Sequence, residues 1–179
     1  MEVLRRYVLV FTSLCMTLFA WGENLQSIEA DFEQIAVNED GVPTRYEGHI
    51  IGKMPSKVKW DYKAPLQKEI YMNKNEVIMY EPRLEQVSHS RLKDKADFLS
   101  ILKSAKKHND GTYHTKVDGI EYVLFIDKAQ KPERIEFVDS MGVKTTLKLK
   151  NVKLNGVISD KKFVFVPPQG VEIVELHSR

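Results

Sequence analysis

At 179 residues, with 42% hydrophobic and 29% charged side chains, the chain is sized for one globular domain with one core. A formal net charge of +2 is too mild for a nucleic-acid groove, which needs clustered basic residues, so nucleic acid is excluded as a partner. The histidines His49, His89, His108, His114 and His177 fall in different elements, with no His-x-His pair and no His-Glu-x-x-His helix, so no metal site is expected.

Arg5 and Arg6 precede an apolar run from Tyr7 to Phe19, and small residues follow at Ala20 and Gly22. That order predicts a secretory signal peptide cleaved before Glu23. The run is shorter than the ~20 residues that span hydrocarbon, and the chain turns polar at Glu23 and Asn24, which disfavours a retained anchor. The expected organisation is a signal peptide over 1–22 and a single domain over 23–179. Cys15, the one cysteine, lies inside the apolar run behind Leu14, a poor context for lipidation. The mature protein would therefore lack a disulfide, a thiolate metal site and a cysteine nucleophile. Losing two basic residues and one acid with the leader takes the net charge from +2 to +1.

From Glu23 to Val37 the apolar residues Leu25, Ile28, Phe32 and Ile35 recur at three- and four-residue steps, which predicts an amphipathic helix. Asn38 to Gly41 and then Pro43 end it. The period then changes to two, with Val58, Trp60 and Tyr62 against Lys57, Lys59 and Asp61, as in a half-buried antiparallel strand. Further strands are expected at 45–53, 67–72, 77–80, 86–90, 112–117, 120–126, 133–139, 143–150 and 163–166, with a last extended segment at 171–176. Asp118-Gly119 is the strongest hairpin turn.

Asp94 can cap a short helix carrying Ala96, Phe98, Leu99, Ile101, Leu102 and Ala105. These residues wrap too far round for a surface helix, so it is read as buried. Lys103, Lys106 and Lys107 after it suit a solvated helix end, with an acidic partner or anionic lipid as the alternative. Strands such as Val77 to Tyr80 and Tyr122 to Ile126 are apolar on both faces, so something must cover each face. The two helices are the candidates, which predicts a curved sheet with helices in its concave side.

No enzyme chemistry is legible. There is no Gly-x-Ser-x-Gly elbow and no phosphate-cradling glycine loop. In Ser88-His89-Ser90, neighbours on a strand point to opposite faces, so His89 is poorly placed to activate either serine. Neither a cofactor nor catalytic residues are expected.

Several stretches, in order, resemble the LolA-type outer-membrane lipoprotein carrier family. They are Phe32 with Gln34; Lys53-Met54-Pro55, then Lys59-Trp60-Asp61-Tyr62 and Pro65; Glu69-Ile70 to Val77; and Tyr80-Glu81-Pro82 with Glu85-Gln86. Leu92 to Leu102 falls where the family has a lid helix, and Lys162 to Phe165 with Pro167 to Val171 resembles its C-terminal signature. The resemblance spans nearly the whole mature chain.

It implies an α+β, mainly β fold: an unclosed antiparallel barrel whose concave, apolar side is covered by helices. It also implies a monomeric periplasmic carrier. Such a carrier accepts acylated lipoproteins from an inner-membrane ATP-driven exporter and delivers them to an outer-membrane acceptor. Each methylene kept from water contributes about 0.8 kcal/mol, so acyl chains need shielding in an aqueous space. Val58, Trp60, Ile70 and Met72 on the strands are candidate acyl-chain contacts. Met79, Phe98, Leu99 and Leu102 complete the set. A static core needs the same residue types, so that reading stands beside it. The family places arginine before the strand proline, where it couples the lid to transfer; here that position is Met54, with Lys53 beside it on the opposite face. Other cargoes consistent with the half-barrel are a free lipid or glycolipid, and a lipid-sensing regulator is a further alternative.

Overall fold

The computed structural model describes residues 21–91 and 98–176. Residues 1–20 of the expected signal peptide with Cys15, the capping residue Asp94 and His177 lie outside the described residues, whereas its last two residues are described: Trp21 packs on the main core and Gly22 lies against Leu102 of the helix. The first half of the sheet is β1 (Ser27–Val37), β2 (Pro43–Lys53), β3 (Lys57–Ala64), β4 (Lys68–Asn73), β5 (Glu76–Glu81) and β6 (Gln86–Arg91). The helix α1 (Phe98–Ser104) follows. The rest is β7 (Lys106–Lys107), β8 (Tyr113–Val117), β9 (Ile120–Ile126), β10 (Pro132–Val138), β11 (Lys144–Leu154) and β12 (Glu172–Leu176).

All 12 strands form one sheet in the order β12-β6-β5-β4-β3-β2-β1-β11-β10-β9-β8-β7. The sheet does not close, so the fold is the expected half-barrel. Two antiparallel meanders flank β1, which pairs with β2 on one side and β11 on the other. β12 is the exception in direction, running parallel to β6 at the edge.

Two expectations are corrected. Residues 27–37 form a strand, not part of a helix. Ile28, Ala30 and Phe32 are buried on the concave face, while Glu29, Asp31 and Glu33 alternate with them on the other. The three- and four-residue spacing of larger apolar residues hid this period of two, because Ala30 is a small core residue. The stretch at 163–166 is likewise not a strand: a 3-10 turn at Asp160–Phe163 leads into irregular chain, while 172–176 is extended as expected.

This irregular segment covers part of the second face of the sheet. Ile158 and Phe163 pack with Ile51 in a small outer core, and the Phe165 ring lies 5.4 Å from Tyr71 and 5.5 Å from Tyr80. The C-terminal chain thus covers the convex face over β2 to β5, and α1 lies on the concave face. The main core lies between α1 and the sheet, where Ile28, Ile50, Val58, Leu99, Leu102, Leu124 and Ile135 are almost wholly buried.

Candidate functional site

A cavity of about 260 Å³ lies between α1 and the concave face. It is lined by Trp60, Tyr62 and Met72 from β3 and β4, Phe98 and Ile101 from α1, and Tyr122, Ile135, Phe137 and Leu147 from β9 to β11. Its few polar walls are Gln34, Thr145 and the Tyr62 hydroxyl. Larger clefts of about 560 and 430 Å³ have carboxylates and lysines in their walls, including Glu121, Glu136 and Lys144 in one and Asp127, Glu133 and Lys153 in the other. Ligand sites are mostly apolar with a few convergent polar groups, which singles out the smaller cavity.

Interlocked aromatic rings organise its wall. Phe32 meets Trp60 and Tyr62 edge-on at 5.1 and 5.0 Å, and Trp60 meets Phe98 of α1 at 5.2 Å. Such edge contacts place a ring's positive rim on its neighbour's negative face. The sequence permits this because Gly48 stands opposite Phe32: a Cβ there would fall 2.7 Å from the ring. Across β1, Tyr122 and Phe137 lie 4.9 Å apart.

The Tyr62 hydroxyl donates to Gln34 Oε1 at 2.9 Å. Burial, with a smaller contribution from Tyr46, pushes the Tyr62 phenol up to about 12, so it remains a neutral donor. The site therefore presents neutral, weakly polar walls. The outer-face charges are kept apart from it by the strand alternation. Lys59, for instance, pairs with Glu69 at 3.2 Å, and Glu69 accepts a short hydrogen bond from Tyr71.

Of the candidates named from sequence, Trp60, Met72 and Phe98 meet at the cavity. Ile70 and Met79 share the concave face beside it through the register pairs Trp60↔Ile70 and Ile70↔Met79, and both are half-buried. Val58, Leu99 and Leu102 are fully buried core. Lys53 is on the outer face, where its ammonium donates to the Ile158 carbonyl at 3.1 Å and pairs with Asp160 at 2.9 Å. Met54 is part-buried against the main core, and its backbone N–H donates to the Gln26 carbonyl at 2.8 Å. Sequence reasoning missed the wall from β9 to β11. The alternating inward positions Ile135/Phe137 and Thr145/Leu147 carried that signal, but only pairing through β1 brings them opposite Trp60.

His89 points away from the flanking serines' face. Its ring nitrogens contact Glu175 at 2.9 Å and Glu76 at 3.0 Å. Among the described residues no group of three or more histidine, cysteine or acidic side chains could hold a metal ion.

Comparison with known proteins agrees with this architecture. The sequence model of a family described as outer membrane lipoprotein carrier protein LolA matches residues 23–121. An outer-membrane lipoprotein carrier protein of Helicobacter hepaticus is 99% identical over the whole of both chains. One of Helicobacter pylori strain P12 is 41% identical, covering 85% of this chain and 82% of its own. Among solved structures, a conserved protein of Thermus thermophilus superposes with a TM-score of 0.54 at 13% identity, covering 88% of this chain and 94% of that one.

Proposed function

The chain belongs to the LolA family of outer membrane lipoprotein carriers, and from that membership we propose that its concave cavity shields the acyl chains of lipoproteins crossing from the inner to the outer membrane. The observation that carries this reading is the cavity itself: aromatic and aliphatic walls, neutral polar groups, and a movable-sized helix as one side. Nothing in such a site favours bond making, and the role is one of carriage.

At about 260 Å³ the cavity is smaller than the roughly 300–1,000 Å³ typical of ligand sites. Loading therefore requires α1 to move away from Trp60 and Met72, with Phe98 and Ile101 travelling on the helix. Met72 adapts its shape to irregular chains. Met54, packed on the core side just beyond β2, is the residue that tunes this movement, whereas Lys53 anchors the outer C-terminal segment. Val58, Leu99 and Leu102 hold the closed form, and Ile70 and Met79 extend the apolar floor once it opens. The expected partners are an inner-membrane ATP-driven exporter and an outer-membrane acceptor, with the protein acting as a monomer in the periplasm after residues 1–22 are removed.

The test is capture of one lipoprotein in acylated and unacylated form by the wild-type protein and by Met72→Glu. Preferential capture of the acylated form, lost in a folded Met72→Glu protein, is the expected result. Equal capture of both forms by the wild type would remove the acyl-chain reading, and so would co-purification of free lipid in place of lipoprotein.

A further inference from the structure

The strand register gathers five hairpin loops along one rim of the half-barrel, of which the β8–β9 turn at Asp118-Gly119 is polar. The pairs Val37↔Pro43, Val37↔Lys144, Glu47↔Ala64, Tyr62↔Lys68 and Glu81↔Gln86 all stand at or near that end. The loops β1–β2, β3–β4, β5–β6 and β10–β11 therefore project the same way. Each carries one large apolar side chain facing solvent: Val42, Leu66, Leu84 and Met141, with exposures from 54% for Leu66 to 76% for Met141. Val138, half exposed, ends β10 beside the last of these loops. Single exposed apolar residues are ordinary. One on each of four of the five hairpin loops of a single rim is a pattern.

The cavity reaches from Met72, near the far end of β4, toward this same rim. Phe137 adjoins Val138, Tyr62 lies two residues from the end of β3, and Thr145 is the second residue of β11. At the far end Leu99 packs against Gly52 and Ile28, closing the interior. The apolar tips thus surround the end of the molecule through which cavity contents would pass.

The form of the rim separates two kinds of partner. A protein interface needs a contiguous desolvated centre. Here the tips stand on separate hairpins, divided by Asp40, Gln67, Arg83 and Ser140. A fluid lipid interface admits each side chain singly, as it does the apolar face of an interfacial helix. The rim carries both signs of charge (Asp40 and Glu85 against Lys68 and Arg83), so attraction to anionic headgroups is not its basis.

We propose that this rim docks on a phospholipid surface, its four apolar tips entering the headgroup boundary so that the cavity faces the bilayer during transfer. The proposal rests on reading the cavity as an acyl-chain site. It makes the carrier a peripheral membrane protein while cargo moves.

Flotation with phosphatidylcholine vesicles, with and without phosphatidylglycerol, tests it on the exported protein and on the variant Val42→Ser/Leu66→Ser/Leu84→Ser/Met141→Ser. Wild type should float with both vesicle types in high salt. The variant, alike except at the tips, should partition about 100-fold less, the effect of withdrawing four apolar side chains from the interface. Capture of acylated lipoprotein, measured in parallel, should be equal for the two and reports separately on the cavity. Absence of wild-type flotation, or equal flotation of the variant, overturns the rim proposal whatever the capture result. Should the fourfold variant misfold, an environment-sensitive fluorophore on Leu66→Cys, Met141→Cys and, at the opposite end, Asn155→Cys decides the question. A blue shift on vesicle addition at the first two positions alone supports the proposal, and any other pattern refutes it.

Discussion

Gly52 on β2 faces Leu99 of α1 so closely that a Cβ on the glycine would stand 2.8 Å from a Leu99 methyl and 3.1 Å from a methyl of Ile28. The helix is seated by the absence of a side chain. Gly52→Ala should therefore push α1 outward, at a cost of about 1–3 kcal/mol from overpacking. The expected signature is a lower unfolding temperature together with faster amide exchange across 98–104 and faster cargo release. Unchanged exchange in α1 would show that Leu99 simply turns aside.

Leu99 and Met72 separate holding the fold from holding cargo. Leu99 is completely buried and away from the cavity lining, so Leu99→Ala should cost the full 2–5 kcal/mol or so of a core truncation, and Leu99→Glu should fail to fold. Met72→Glu, half-buried on the cavity wall, should fold and lose acylated cargo. Thermal unfolding alongside cargo capture distinguishes the two positions, and a stable, cargo-competent Leu99→Glu protein would contradict this division.

At Met54 the expectation is kinetic. The family resemblance implies an arginine at this position that bonds the lid, so Met54→Arg should slow delivery to acceptor membranes while loading stays intact. Identical release rates for the two proteins in a reconstituted transfer assay would exclude Met54 as a determinant of opening.

The edge strand β12 should be held in a pH-dependent way. His89 on β6 is raised above its ordinary value, first by its hydrogen bond with Glu175 of β12 and then, against partial burial, by Glu76 of β5. The protonated ring is favoured in the folded state, so its contribution is complete below about pH 6.5 and fades as pH rises through the raised value. Amide exchange in Glu172–Leu176 should quicken toward alkaline pH, and His89→Gln should abolish that dependence. Exchange independent of pH in the wild type, after correction for intrinsic rates, would show that the backbone ladder alone holds β12.

Alternation made most of the sheet legible. Val58, Trp60 and Tyr62, or Thr145, Leu147 and Leu149, reveal their inward face in the sequence, and the pattern predicted a curved antiparallel sheet and α1, while the unclosed barrel came from the family resemblance. At β1 the acids Glu29, Asp31 and Glu33 marked a strand, but the apolar partners included Ala30, whose small side chain adds little to a hydrophobic pattern. The cover of the convex face was illegible for another reason. Residues 155–170 bury Ile158 and Phe163 and half-bury Phe165 with no regular structure beyond one 3-10 turn, and no periodicity announces such a segment. Only part of the cavity could be named in advance, because bringing Trp60 and Phe137 to one cavity across β1 depends on the order of strands, which local pattern does not encode.

That order also dictates when the molecule becomes complete. β1 is near the start of the domain, yet one of its two neighbours, β11, begins at Lys144. Emergence of the chain from its N-terminal end delivers β2 almost at once, so one edge of β1 is paired early. The other stays bare, with its amide and carbonyl groups unmatched, until more than a hundred further residues have emerged. The final joining of the two meanders is thus a long-range closure that no local hairpin can nucleate, the kind of event that slows folding most. Until then the emerging chain has an open seam through its middle, where a strand from another copy could pair.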